Sequence, residues 1–342
     1  MTIKFQKFPY LVQEHVIMRM NSVEILILSF CSSKTKKTIK STNWKLPTLT
    51  VSLNDSLVVV ALNDTREQNL VGFAVETVQT FLDNTEALKL KGSDLEFRLT
   101  KRKMNDVNRD LQIIQVLEEF RVNSRSEIFK HFYELLRNKP TVILCLETRT
   151  SLNELPPLVN VTEMELFGAP VNRQYVEDYF EKCDELNCAV VGNDIYSQLN
   201  ENSKLTSAKY LFFEYSEIQA MLIPFHFKGR VAVFKESICD SSIVISILQR
   251  WINSEGLIDL DYMQILLMRE YSFNHFHVHR EIESEPWDQM RRPARFEKKT
   301  RIINWDILPL NCEHFLDVTR RSDGMVGSFL ITPKSFTFCI WK

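Results

Sequence analysis

Apolar and polar positions follow helical spacing in the first 45 residues. Pro9 suits the first turn of a helix, where its missing N–H removes no hydrogen bond. One helical face is then formed by Leu11, Val12, Val16 and Met20. Asn21-Ser22 breaks the pattern, and Ser22 can cap a second helix. The face of that helix has the spacing i, i+3, i+4, i+7, i+8: Val23, Leu26, Ile27, Phe30 and Cys31.

The second predicted helix carries more apolar surface than a single face. Ile25 and Leu28 lie off the face described above, and a helix that is apolar nearly all round must be covered on nearly all sides. A unit of this size buries too little surface to provide that cover alone. The segment "EILILSF" is therefore either packed on the rest of this chain or open to a partner protein, and the pattern favours neither possibility.

Residues 46–140 predict a mixed α/β region. Asn54-Asp55-Ser56 separates two alternating runs in "LPTLTVSLNDSLVVVALND", which is typical of a β-hairpin. The segments "FAVETVQTFLDN" (73–84) and "SEIFKHFYELLRN" (126–138) have helical periodicity. Pro140 ends the second of these predicted helices and precedes the apolar run "TVILCLE".

Short apolar stretches recur with a regular period from residue 141 onward. They begin at 141, 162, 186, 208, 229 and 257, with helical patterns between them. A strand plus a helix every ~20–29 residues is the period of leucine-rich repeats, which stack into a parallel sheet. The L-x-x-L-x-L-x-x-N consensus is absent. An ordinary α/β domain with regular spacing is therefore the alternative.

The C-terminal segment predicts a three-strand meander. Asp323-Gly324 is a strong hairpin signal, and Thr332-Pro333-Lys334 predicts a second turn before an alternating strand. The preceding residues 280–304 are charged and irregular, with six Lys or Arg between 291 and 301. This segment predicts an exposed loop or hairpin arm. A solvated loop is favoured over a nucleic-acid patch.

Composition limits the classes of partner. The chain has 342 residues, 44% of them hydrophobic, and a net charge of −2, which argues against nucleic acid or anionic membrane as a general partner. The longest uncharged apolar run, "ILILSFC", is too short to span a bilayer, and the N-terminus lacks the layout of a signal peptide. The seven scattered cysteines predict reduced thiols in the cytoplasm or nucleus.

Charge distinguishes the first 45 residues from the rest. They hold eight Lys or Arg and two Glu, a net charge of +6. Such a segment attracts an acidic partner surface. The alternative is that its lysines form a solvated face at the end of a helix.

Few groups suggest chemistry, and no catalytic residue, metal ligand or cofactor is predicted. In "HFHVHR", His275, His277 and His279 would share one face of a strand and could bind zinc, with Cys312 and His314 near; a polar surface strand is favoured. Cys183 and Cys188 could form a redox pair, but two packed thiols are the favoured interpretation. The alternating Glu163 and Glu165 are paired carboxylates or, more simply, a solvent face.

Three segments resemble a known family. "FPYLVQEHVIMRMNSVEILILSFCSSKTKKTIK" (8–40) resembles the F-box, which opens with Leu-Pro, here Phe8-Pro9, and continues with two apolar helices and a basic end. "FLDVTRRSDGMVGSFLITPKSFTFCIW" (315–341) resembles the end of the F-box-associated region in the large nematode-expanded F-box families. The interior segment "SSIVISILQRWINSEGLIDLDYMQI" is similar to that region too.

The resemblance implies a non-catalytic substrate receptor of an SCF-type (Skp adaptor–cullin–F-box) ubiquitin ligase. The Skp-type adaptor, and through it a cullin, would bind the N-terminal module, while the rest would hold an unknown protein substrate. The implied adaptor-binding residues, some of which also serve the packing of the module, are Phe8, Pro9, Leu11, Val12, Val16, Ile17, Leu26 and Phe30. Lys34, Lys36 and Lys37 would face an acidic adaptor surface.

The expected fold class is α/β. A small helical F-box module (1–45) is followed by a mixed α/β connecting region (46–140). A leucine-rich-repeat-like, F-box-associated domain with a C-terminal antiparallel β meander (141–342) completes the chain. The alternative function is a non-ligase repeat scaffold for protein–protein interaction, in which the N-terminal helices cap the open end of the solenoid.

Overall fold

The computed structural model divides into two compact units, Met1–Val161 and Thr162–Lys342. It describes residues 5–42, 44–63, 71–83, 85–88, 94–104, 109–136, 138–150, 158–297, 301–302, 305–306 and 309–342. In these parts of the chain, no helix has both the length and the apolar character that crossing a bilayer requires.

The first unit begins with three helices. They follow a short 3₁₀ turn at Phe5–Lys7 and are α1 (Tyr10–Arg19), α2 (Ser22–Phe30) and α3 (Ser33–Ser41). Asn21, and not Ser22, caps α2. Its side chain accepts from the backbone N–H of Glu24 at 2.8 Å, and the Glu24 carboxylate accepts from the backbone N–H of Asn21 at 2.9 Å. This reciprocal capping box fixes where α2 starts.

Among the described residues, seven strands and one further α-helix follow in the first unit. The strands are β1 (Thr48–Leu53), β2 (Leu57–Asn63), β3 (Val71–Val78), β4 (Glu86–Leu88), β5 (Phe97–Met104), β6 (Arg109–Leu117) and β7 (Thr141–Glu147). Their order is β7-β1-β2-β3-β6-β5-β4, with parallel pairs β1–β7 and β3–β6. The predicted hairpin at Asn54 is confirmed as β1–β2. The helix is α4 (Arg121–Leu135), also predicted.

The helix predicted over residues 73–84 is wrong, because residues 73–78 belong to β3 and the described residues after them are not helical. Phe73 and Val75 are buried between two neighbouring strands, β2 and β6. Periodicity alone does not separate a short buried strand from a buried helix. Here β-branched and aromatic residues, together with pairing on both sides, favour the strand. Residue 84 lies outside the described residues.

The second unit starts with five parallel strands in sequential order. They are β8 (Val161–Phe167), β9 (Cys188–Gly192), β10 (Tyr210–Phe213), β11 (Val231–Ser237) and β12 (Tyr262–Leu267). The intervening helices are α5 (Arg173–Phe180), α6 (Ile223–His226) and α7 (Ser241–Ile252). The apolar stretch predicted from 257 is a turn at first, with Leu257 at φ 58°, and the strand begins only at Tyr262.

Antiparallel strands close the second unit. After α8 (His275–Glu281) come β13 (Glu285–Pro286), β14 (Arg295–Phe296), β15 (Arg301–Ile302), β16 (Trp305–Asp306), β17 (Leu310–Asn311), β18 (Leu316–Thr319), β19 (Val326–Ile331) and β20 (Ser335–Ile340). The order β13-β18-β19-β20-β12 confirms the predicted meander and joins it to the parallel strands. Gly324 in the turn before β19 has φ +73°, which glycine adopts without strain.

A buried ion pair anchors the segment predicted to be an exposed loop, residues 280–304. The Arg292 guanidinium donates two hydrogen bonds to one Asp317 carboxylate oxygen, at 2.8 and 2.9 Å, and both side chains are almost fully buried. Ser328 donates to the same oxygen at 2.6 Å, and the Arg292 guanidinium lies 4.9 Å from the ring centroid of Trp341. The loop is therefore only partly solvated. Lys298 and Lys299 lie outside the described residues.

Candidate protein-binding surface

The first helix is held through one buried side. Gln13 is buried, and its side-chain amide donates to the carbonyl oxygen of Phe8 at 2.6 Å. Ile17, one turn later, is fully buried. The Tyr10 hydroxyl donates to the carbonyl oxygen of Ser41, at the end of α3, at 3.2 Å. These contacts orient α1 so that its opposite face points to solvent.

Much of the solvent-exposed surface at residues 8–18 is apolar. Leu11 is 75% exposed, and five further apolar side chains of this segment are between 39% and 46% exposed: Phe8, Tyr10, Val12, Val16 and Met18. Single exposed apolar residues are ordinary, whereas a contiguous set marks a surface for another molecule. We call these six residues the α1 patch.

The surplus apolar face predicted for the second helix is mostly covered by this chain. Ile25 and Leu26 are fully buried, Phe30 is nearly so, and Leu28 is half-buried. The helix lies on β3, and the Phe30 ring stacks on that of His131 from α4, with centroids 4.5 Å apart. The possibility that this face is open to a partner is therefore wrong for most of its surface. The cover comes from strands and a helix far along the chain.

The third helix presents lysines. Ser32 caps α3 by accepting from the backbone N–H of Thr35 at 3.0 Å. Lys34 and Lys37 are exposed. Lys36 is half-buried, and its ammonium lies 2.7 Å from the Glu134 carboxylate of α4. Two of the three lysines predicted to face a partner are thus open to solvent, and the third binds within the unit.

A buried histidine joins these helices to α4. The Lys36 ammonium can only donate, so its 3.0 Å contact with Nδ1 of His131 leaves that nitrogen unprotonated. The proton then lies on Nε2, which donates to the Ser29 hydroxyl at 2.7 Å, and Ser29 donates to the carbonyl oxygen of Leu26. Burial, with the adjacent Lys36 charge, lowers the pKa of His131 to about 4. We call Ser29, Lys36, His131 and Glu134 the His131 network.

The predicted adaptor-binding residues fall into two groups. Those on the surface are Phe8, Pro9, Leu11, Val12, Val16, Lys34 and Lys37. Those turned inward are Ile17, Leu26 and Phe30, with Lys36 half-buried. The prediction did not include Tyr10 and Met18. Leu11 and Met18 are seven residues apart and so lie on the same side of α1, and this spacing was the signal that could have found Met18.

The strand predicted to align three histidines is wrong, because these residues form α8. The Asn274 side chain caps this helix by accepting from the backbone N–H of His277 at 3.1 Å. His275 and His279 are one turn apart, with ring centroids 6.2 Å apart, while His277 lies 4.0 Å from Glu281. Within the described residues, no three His, Cys, Asp or Glu side chains come together as a group that could hold a metal ion.

The paired cysteines and carboxylates lie inside or beside the parallel sheet. Cys183 and Cys188 are buried free thiols, and burial raises the pKa of both. High thiol pKa values oppose thiolate chemistry, which agrees with two packed thiols. Glu163 pairs with Cys188 across β8 and β9, and burial raises the pKa of its carboxyl.

Comparison with known proteins identifies the N-terminal helices. A family model described as the F-box domain matches residues 5–46. Searches of curated proteins and of solved structures give no match to the chain. The matched range contains α1, α2 and α3, the α1 patch and the exposed lysines of α3. Residues 5–46 are therefore an F-box domain, and a large, mostly strand region follows it.

Proposed function

We propose that this protein is a substrate receptor of an SCF-type ubiquitin ligase. The F-box domain would bind a Skp-type adaptor, and through it a cullin. The observation that carries the proposal is the α1 patch, a set of six solvent-exposed apolar side chains on an F-box domain. Burial of such a face in an interface is favourable by about 25 cal/mol per Å² of apolar area before the costs of association are subtracted.

The charge of the F-box domain supports binding of an acidic partner. Lys34 and Lys37 extend from α3, and the first 45 residues carry a net charge of +6 in a chain of −2 overall. Such a local excess steers an acidic partner toward this face and raises the association rate. We propose Phe8, Pro9, Leu11, Val12 and Val16 as the apolar part of the interface, with Lys34 and Lys37 as its basic part.

The second unit would hold the substrate protein. The sequential parallel strands β8 to β12, each separated from the next by helical or irregular segments, support our proposal of a leucine-rich-repeat-like domain. The β meander supports our proposal that this unit is an F-box-associated region of the nematode-expanded type. The receptor would perform no bond chemistry. The receptor would hold the substrate and the charged E2 together, which replaces a bimolecular encounter. We propose that the protein acts in the cytoplasm or the nucleus.

A single substitution tests the adaptor surface. Leu11→Asp puts a charge into the centre of the α1 patch, while Met290→Asp makes the same kind of change at an 86% exposed position in the second unit. Neither side chain is packed, so both variants should keep wild-type unfolding curves. We expect Leu11→Asp to weaken binding of a purified Skp adaptor at least tenfold, equivalent to about 1.4 kcal/mol, and Met290→Asp to leave it unchanged.

Equal binding of the adaptor to wild type and Leu11→Asp would refute the proposed interface. Absence of adaptor binding by the folded wild-type chain would refute the ligase proposal itself. Absence of adaptor binding would favour the alternative of a non-ligase repeat scaffold for protein–protein interaction.

A further inference from the structure

Cationic side chains gather at one edge of the sheet in the second unit. Lys209 precedes β10, Arg230 precedes β11 and Asp261 precedes β12, so the parallel direction of these strands brings the three residues to one edge. β20 runs antiparallel to β12, and therefore Lys342, just after β20, arrives at the same edge. The backbone N–H of Ile340 donates to the carbonyl oxygen of Asp261 at 2.9 Å, which joins the two ends.

A cleft of about 420 Å³ opens at this edge. Its lining includes Lys209, Lys228, Gly229, Arg230, Asp259 and Lys342. Gly229 lies where a Cβ atom would overlap the carbonyl oxygen of Ala208, so the absence of a side chain lets the loops before β10 and β11 approach closely. We call this feature the basic cleft.

Carboxylates neutralise only part of the charge in the basic cleft. Asp261 is almost fully buried beneath it and lies 2.6 Å from Nε of Arg230 and 2.8 Å from Nζ of Lys342. Lys209 and Lys228 are exposed, and among the described residues neither forms an ion pair. With Asp259 included, four cations face two carboxylates. The cleft thus concentrates positive charge in a chain whose net charge is −2.

We propose that the basic cleft binds an acidic segment of a protein, one with several Asp or Glu residues, and that this is the class of substrate the receptor recognises; the second part rests on the proposed function. Lysines held near one another repel, and a run of carboxylates removes that repulsion. Lys209, Lys228 and Lys342 are exposed at different positions around an open cleft. Spread-out cations on flexible stems match several carboxylates along an extended chain.

A matched pair of double variants tests this site in the full chain. Lys209→Glu/Lys228→Glu reverses the two lysines without ion pairs. Arg173→Glu/Lys182→Glu makes the same change in net charge at two exposed positions of α5 and its end, away from the cleft. Binding is measured by fluorescence anisotropy with a labelled oligo-glutamate peptide, at low and at physiological ionic strength. We expect the cleft variant to bind roughly tenfold more weakly, and the α5 variant to bind as wild type.

Three outcomes would overturn the proposal. The first is no oligo-glutamate binding by the wild type, and the second is an equal loss in both variants, which would mean general charge attraction. The third is binding of a phosphoserine peptide without acidic residues in place of oligo-glutamate, which would assign the cleft to phosphoryl groups.

Adaptor binding is measured on the same proteins and should be equal in all three. Peptide binding without adaptor binding would refute the proposed function but support the cleft. Adaptor binding without peptide binding would support the proposed function and refute the proposed role of the basic cleft.

Discussion

The His131 network makes the first unit sensitive to acid. The pKa of His131 is about 4 in the folded chain and 6.5 when exposed, because burial and Lys36 oppose its charge. A depressed pKa means that the unfolded chain binds the proton first. The contribution to stability is therefore complete above about pH 6.5 and is lost as the pH falls toward 4.

The magnitude follows from the two pKa values. The full difference of about 2.5 units corresponds to roughly 3 kcal/mol, reached only below pH 4. At about pH 5 the unfolded histidine is almost fully protonated and the folded one is mostly neutral, so about 2 kcal/mol is lost relative to pH 7.5. A protonated ring would also place a second cation beside Nζ of Lys36, now 3.0 Å from Nδ1.

Native-state hydrogen exchange tests the predicted loss of stability helix by helix. Opening free energies of α2 and α4 amides should fall by about 2 kcal/mol between about pH 7.5 and pH 5. This decrease should disappear in His131→Gln, which does not titrate. It should persist in His15→Gln, a control at an exposed position of α1. A pH dependence of the same size in His131→Gln would refute the reasoning, since other groups would then be responsible.

Two further predictions concern the interiors of the units. Asp317→Asn leaves the Arg292 guanidinium buried without its counter-charge, so we expect the unfolding free energy of the second unit to fall by about 3–5 kcal/mol. Urea titration measures this loss, and an unchanged urea midpoint would contradict the prediction. Leu26→Ala should destabilise the first unit by about 2–5 kcal/mol, because the side chain is fully buried; the circular dichroism melting curve checks it, and a wild-type curve would mean that α2 is not packed as described.

Local signals in the sequence predicted the helix starts and the turns, which neighbouring residues determine. Pro9 and the break at Asn21-Ser22 gave the starts of α1 and α2 within a residue, and Asn54 and Asp323 predicted their turns. The capping residue itself was misassigned to Ser22, because Asn, Asp and Ser cap almost equally well. Only the reciprocal bond with Glu24 decides in favour of Asn21.

Errors arose where distant residues decide the structure. Residues 73–78 form a strand that β2 and β6 pair with on both sides, and the β-branched and aromatic residues of the segment favour a strand without revealing that pairing. The apolar surplus of α2 was recognised, but its cover by β3 and α4 depends on tertiary packing. The candidate surface was also predicted incompletely, because distant residues decide which side chains are buried. The resemblance to the F-box implied Leu11, Val12, Val16 and Ile17 as adaptor-binding residues, and the burial of Ile17 could be recognised only from the contacts of α1.

The position of β20 between β12 and β19 has a consequence for synthesis on the ribosome. Until residues 335–340 emerge from the exit tunnel, the β12 edge has unpaired backbone donors and acceptors and is open to pairing with other nascent chains. Completion of the second unit must therefore wait until residues 335–340 have been synthesised. Until then, a chaperone that covers the β12 edge would prevent this pairing between nascent chains.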